Sequence, residues 1–277
     1  MEYTEVDIIL NPITPFSEIL IGELGEIGFE SFAENDLGFK AYIPSKDFDK
    51  KALEDVFDNM SAECEIKHSV TNIEDQNWNA VWESSYESVL IDDFCFVYAP
   101  FHEKRADIPY NILIEPKMSF GTAHHPTTHL MISFLKDENL EEKRVLDMGS
   151  GTGVLAIFAS MRGASYIEAI DNDSWAYENA IENVRNNRRE NISVLLGDAS
   201  LLKDKSFDIV LANINRNILL NDIKTYAQCL NTGGFLFLSG FFESDIPTIL
   251  DEAGKYEFSL EGKRIRNDWA SIKLVKR

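Results

Sequence analysis

Cysteine is scarce in this chain and poorly spaced for metal or redox work. Cys64, Cys95 and Cys229 are odd in number and far apart, with no CxxC pair. That spacing excludes a disulfide framework, and three small buried hydrophobes in a reducing cytosol are expected instead. Long apolar runs are missing too. No stretch approaches the ~18 residues that span a bilayer. The opening MEYTEVDIIL lacks the basic stretch and apolar run of a secretory leader. A cytoplasmic chain that makes no membrane contact is expected. Basic charge is in deficit, with 26 Lys plus Arg against 47 Asp plus Glu and a net charge of −21. An acidic chain repels a phosphate backbone, so direct nucleic-acid binding is not expected. Internal repeats and low-complexity tracts are also absent.

What remains is a chain able to build cores. Its 277 residues leave room for two domains, and 44% of them are hydrophobic. The acidity is uneven: residues 1–75 carry a balance of −13 and the other 202 residues −8. Solubility accounts for such a bias, and so does steering of a basic partner.

In the first 70 residues the pattern predicts strand, helix, two short strands, helix and strand. EYTEVDIIL alternates, PFSEILIGELGEIG has helical spacing, and GFESFAE and GFKAYIP flank an Asn35-Asp36 turn. KDFDKKALEDVFDNM is a second amphipathic helix, and CEIKHSV closes the series. This β-α-β-β-α-β order predicts a small α+β, ferredoxin-like domain over 1–70. Residues 71–88 read as a polar linker in which Trp78 and Trp82 share a helical face.

Residues 89–277 form the third part. FCFVYAPF and YNILIEP read as strands. From Pro126 onward, apolar strands alternate with helices, which predicts a parallel sheet covered on both faces. YEFSLEGKRI and WASIKLVKR end the chain as a hairpin, adding an antiparallel strand. The expected fold is a doubly wound, Rossmann-like α/β domain of about seven strands.

The densest chemical signal is VLDMGSGTG, residues 145–153, running from strand through glycine loop to helix. Glycine is needed where backbone turns through positive φ or approaches a ligand, and the helix start offers free N–H groups. A dinucleotide fingerprint would space its last two glycines by three; Gly149, Gly151 and Gly153 are spaced by two. Asp147 inside the motif would repel a pyrophosphate. It suits a cationic ligand or the ordering of glycine N–H groups. Asp171 ends the next strand, where a carboxylate accepts from both ribose hydroxyls. Asp173 fits a helix cap. Asp198 ends the third strand, either reaching an adenine amino group or closing a turn. In FGTAHHPTTHL, three of the five histidines crowd together. His125 and His129 are four apart, but no Cys or HExxH spacing supports them, and no metal is expected.

The glycine and acid pattern resembles the class I S-adenosylmethionine-dependent methyltransferases over about residues 120–277. FGTAHHPTT is similar to the F-G-T-G-x-H-P-T-T signature of the ribosomal protein L11 methyltransferases. The small first domain and the tryptophan-bearing linker, NWNAVW, extend that resemblance to nearly the whole chain. It implies S-adenosylmethionine as cofactor, with Phe120, Thr122, Thr128, Gly149, Gly151, Gly153, Asp171, Asp198 and Asn213 around it. It also implies that Asn213, in LANIN, accepts a hydrogen bond from the substrate nitrogen, although amine methyltransferases of this class usually read N-P-P-Y there. The implied substrate is a basic ribosomal protein, L11, recognised by the acidic first domain, and the implied enzyme is a monomer. The alternative is a class I methyltransferase for another amine. One position departs from the signature: Ala123 stands where its second glycine falls. If that position needs φ > 0, alanine costs about 1 kcal/mol.

Overall fold

The computed structural model describes residues 3–35, 37–61, 63–73, 86–117 and 121–277. The expectations for Trp78, Trp82 and Phe120 lie outside those residues. The chain divides into two compact units, Met1–Tyr86 and Glu87–Arg277.

The first unit contains β1 (Tyr3–Asn11), α1 (Phe16–Glu26), β2 (Ser31–Asn35), β3 (Gly38–Pro44), α2 (Lys50–Met60) and β4 (Glu65–Ile73). The final strand runs three residues past the expected Val70. The sheet order is β2-β3-β1-β4, and every neighbouring pair is antiparallel. Alternation along β1 places Val6, Ile8 and Leu10 on one face, in a core with Leu20, Leu24, Leu53 and Phe57 from the helices. Burying each of these side chains stabilises the unit by roughly 1.5–3 kcal/mol. Asp49 starts α2 by accepting hydrogen bonds from the N–H groups of Lys51 and Ala52.

The second unit opens with a small sheet of β5 (Val89–Ile91), β6 (Cys95–Tyr98) and β7 (Tyr110–Leu113). Sequence periodicity missed β5, which is only three residues long. The main sheet uses β8 (Arg144–Met148), β9 (Tyr166–Asp171), β10 (Ile192–Leu196), β11 (Phe207–Asn213), β12 (Leu230–Phe242), β13 (Phe258–Arg266) and β14 (Trp269–Lys276). Its order is β10-β9-β8-β11-β12-β14-β13. The first five strands are parallel, and β14 lies antiparallel between β12 and β13. The helices are α3 (Pro126–Lys136), α4 (Val154–Met161), α5 (Ser174–Asn186), α6 (Arg216–Cys229) and α7 (Ile246–Gly254).

Successive residues of one strand feed opposite cores. Val145, Ile209 and Leu211 pack with α3 and α4, while Leu146, Val210 and Ala212 pack with α6 and α7. Strands buried on both faces explain the continuous apolar runs. Strand order reverses between β8 and β11, and a crevice opens beyond the carboxyl ends of strands at such a switch point. Cys64, Cys95 and Cys229 are free and buried, and burial raises the Cys95 and Cys229 thiols to about 12 and about 11. Among the described residues no helix is long and apolar enough to cross a membrane.

Candidate active site

The glycine loop follows β8 directly. Gly149, Gly151 and Gly153 have φ of 71°, 53° and 78°. A Cβ on Gly149 would stand 2.1 Å from Ile214 Cγ2, so glycine is required there by space as well as conformation. The N–H groups of Gly149 and Ser150 donate to the Ile170 carbonyl at 2.8 and 3.1 Å. Gly151 N–H donates to Asp171 Oδ2 at 2.8 Å, and Asp173 N–H donates to Oδ1 at 3.0 Å. The Asp171 carboxylate therefore holds the glycine loop and the turn after β9 together. Asp173 caps α5 through the N–H groups of Trp175 and Ala176, as expected of it.

Asp147 does something the sequence reading did not anticipate. It is 1% exposed and its Oδ2 accepts from Ala156 N–H at 3.0 Å, inside the first turn of α4. It does not line the crevice beyond the strand ends, and this hydrogen bond ties the end of β8 to α4. Burial pushes its carboxyl up to about 7, against the Ala156 hydrogen bond, and the charge of Asp171 adds to the rise.

A cleft of about 970 Å³ opens at the switch point. Gly149, Gly151, Asp171 and Asn213 all line it, so four of the expected residues converge from three separate chain segments. Thr128 stands behind that wall, 1% exposed, and its hydroxyl lies 3.5 Å from Asn213 Nδ2; Thr127 is the threonine on the wall. Gly153 sits at the start of α4 against Ala180. Thr122 pairs with His124 Nδ1 at 3.0 Å. Asp198 is exposed and caps the turn Ala199–Leu202, accepting from Ser200 N–H at 2.9 Å, and the Ser200 hydroxyl, with that N–H, holds its carboxyl below the usual range. Of the two readings for Asp198, this geometry is the turn.

Asn213 ends β11, opposite Ser239. Its Oδ1 is buried and has no hydrogen-bond partner among the described residues. A buried acceptor without a donor is costly, about 1–3 kcal/mol, unless a ligand supplies the donor.

The three clustered histidines go three ways. His124 Nε2 is 2.8 Å from the Glu87 carbonyl. His125 caps α3, accepting from Thr127 N–H at 3.3 Å, and meets the Trp269 ring edge-on at 4.5 Å. His129 lies between Asp92 and Arg266, at 3.4 and 2.8 Å. Burial lowers the pKa of both His125 and His129, and the Arg266 charge lowers His129 further. Among the described residues no three His, Cys, Asp or Glu side chains are placed to hold a metal. The same loop is locked to the glycine motif, because the Thr152 hydroxyl donates to the Gly121 carbonyl at 2.7 Å. Ala123 has φ of 69°, the left-handed conformation its family glycine would favour.

Sequence reasoning missed several residues of the cleft, among them Lys117, Trp175, Ile214 and Trp269. Trp175 offered one signal, its place in the first turn of the helix that begins three residues after the strand-ending Asp171; it is 74% exposed. Trp269 offered none, because it reaches the site from the closing hairpin.

These residues suit S-adenosylmethionine. The glycine loop turns through positive φ at all three glycines, with no room for a Cβ at Gly149, a carboxylate closes the neighbouring strand, and the cleft has room for a nucleoside. A doubly wound sheet with this loop and acid is the framework of the class I S-adenosylmethionine-dependent methyltransferases. A crystal structure of ribosomal protein L11 methylase from Lactobacillus delbrueckii subsp. bulgaricus is similar, at a TM-score of 0.64 and 25% identity, over 69% of this chain and 100% of that one.

The chain belongs to the ribosomal protein L11 methyltransferase family, whose profile matches residues 23–277. The relative of that name from Phocaeicola vulgatus is 43% identical over 99% of both chains. The one from Porphyromonas gingivalis is 46% identical over 93% of this chain and 90% of its own.

Proposed function

We propose that this protein transfers methyl groups from S-adenosylmethionine to lysine side-chain or N-terminal amines of ribosomal protein L11. The observation that carries the reading is the unpartnered Asn213 Oδ1, buried beside the glycine cradle. Gly149, Gly151 and Gly153 would hold the cofactor by their backbone, and Asp171 its ribose. Phe120, Thr122 and Thr128 are assigned to its surroundings by family resemblance, and Asp198 by its place after the third strand. Bound there, S-adenosylmethionine supplies an electrophilic methyl group on a sulfonium.

The chain's own task is to present a neutral amine. Free lysine has a pKa of about 10.4, and burial beside positive charge lowers it. Asn213 Oδ1 accepts an N–H and so aims the lone pair. A carboxylate in its place would hold the protonated amine, which cannot react. The cleft otherwise contributes orientation and exclusion of water. The first unit, read as a ferredoxin-like recognition arm over 1–70 joined by the 71–88 linker to the catalytic part, would draw in the basic substrate. The same reading makes the enzyme monomeric and cytoplasmic, acting on protein and not on nucleic acid.

Intact mass of purified ribosomal protein L11, with and without the enzyme and cofactor, is the direct test. A gain of 14 Da steps supports the assignment; no gain while the cofactor binds removes this substrate and leaves another amine. Asp171→Ala should weaken cofactor binding by about 1–3 kcal/mol through lost charged hydrogen bonds. Asn213→Ala should lower turnover more than cofactor affinity, and the reverse ranking would refute its role.

A further inference from the structure

Three asparagines stand one turn apart on one face of α5 and its end: Asn179, Asn183 and Asn187, at 1%, 0% and 9% exposure. Asparagine is a poor helix former, and its buried amide needs partners. All three reach the end of β7 or the segment that directly follows it. Leu113 N–H donates to Asn187 Oδ1 at 3.0 Å, and Asn187 Nδ2 donates back to the Leu113 carbonyl at 2.6 Å. Glu115 N–H donates to Asn183 Oδ1 at 2.8 Å, and Asn179 Nδ2 donates to the Glu115 carbonyl at 3.2 Å. The spacings match: residues four apart on a helix rise about 6 Å, and alternate residues of an extended chain about 6.6 Å. The amide ladder replaces a neighbouring strand. On the same side, Glu182 pairs with Lys117, the residue that brings this strap to the cleft.

Asn183 does one thing more. Its Nδ2 donates to the Thr152 carbonyl at 3.0 Å, and the Thr152 hydroxyl holds the Gly121 carbonyl at 2.7 Å. Asn183 thus ties the strap at 113–117 to the glycine loop, and through Thr152 to the start of the histidine-rich loop. Asn187 makes the same kind of backbone bonds to the strap, at Leu113, but none to the glycine loop or the histidine-rich loop.

We infer that Asn183 is a positioning residue for the cofactor cleft, acting through Thr152, and that Asn187 is its structural counterpart without that role. The inference rests on the proposed S-adenosylmethionine site. Its test is the cofactor Kd by calorimetry, below the melting temperature of each variant. Asn183→Ala should raise Kd about tenfold, the size of one buried hydrogen-bonded link lost. Asn187→Ala should lower Tm as well but leave Kd within about twofold. Thr152→Val, which keeps shape and loses the hydroxyl, should raise Kd about fivefold, and Thr152→Ser should restore it. If Asn183→Ala does not fold, the Thr152 pair decides. Equal Kd for wild type, Asn183→Ala and Thr152→Val overturns the inference alone; a wild-type chain that binds no S-adenosylmethionine overturns the cofactor reading with it.

Discussion

Two strands summarise how differently the two units use their sheets. Along β1 in the first unit, Val6, Ile8 and Leu10 go inside while Glu5 and Asp7 do not. Along β8 in the second unit, Val145, Leu146, Asp147 and Met148 are all buried. A one-sided sheet leaves a polar face, here carrying the Glu5–Lys40 ion pair, and its helices need only one apolar stripe. A two-sided sheet has no free face, so its chemistry moves to the strand ends, where Gly149, Asp171 and Asn213 meet. The cores follow the division: one cluster belongs to the first unit, and two belong to the second, one on each face of its sheet.

That contrast can be broken most severely by removing residues 1–86. The remaining unit keeps both of its cores and should bind S-adenosylmethionine by calorimetry, after its fold is checked by circular dichroism. Label transfer to a protein acceptor should vanish. Undiminished transfer would show that the first unit is not the recognition arm.

Next in size is Gly149→Val, which sets a branched side chain against Ile214 and forbids the loop's φ. Cofactor affinity should fall at least about 100-fold, since nearly 3 kcal/mol of strain and collision is expected. Binding within a few-fold of wild type would mean the cofactor does not lie against this loop.

A smaller effect appears in the pH profile of unfolding. Burial holds Asp147 up to about 7, so the folded chain keeps a proton there that the unfolded chain releases near pH ~4. The stability contributed by this group is complete below pH ~4 and is lost as the pH rises toward ~7. Urea titrations of Asp147→Asn should show a flatter profile across that window than wild type. Parallel profiles would mean that Asp147 is ionised in the native state.

The least effect is expected at Ala123. Glycine there relieves about 1 kcal/mol of left-handed strain, but it deletes a buried methyl group worth about 0.8 kcal/mol. Ala123→Gly should shift stability by less than about 1 kcal/mol in either direction. A larger loss would show that the methyl, part of the core under α3, outweighs the backbone.

Much of the architecture was legible because it depends on neighbours in the chain. Apolar runs such as Ile209–Ala212, the caps at Asp49 and Asp173, and the closing hairpin all follow from local spacing. The short β5 was not legible, since three residues carry too little periodicity. The site was legible in part. Gly149, Gly151, Asp171 and Asn213 sit at strand ends that the strand pattern locates. The assignment of Asp147 failed because its partner, Ala156 N–H, is chosen by how α4 packs back on β8. The wall carries Thr127 instead of Thr128 because helix rotation decides which of two adjacent threonines lines the cleft.

The line between the two kinds of information is therefore physical. Periodicity, capping and the need for positive φ are properties of consecutive residues, and composition plus order were enough to specify the strands of the main sheet, the glycine bend and the acid after it. Contacts across long sequence separations belong to the packed chain alone. His125 meets Trp269, Asn213 meets Thr128 across 85 residues, and Asn183 reaches Thr152 across 31. Such pairs form only when the cores have set the distance and angle between elements, and no local pattern encodes that outcome.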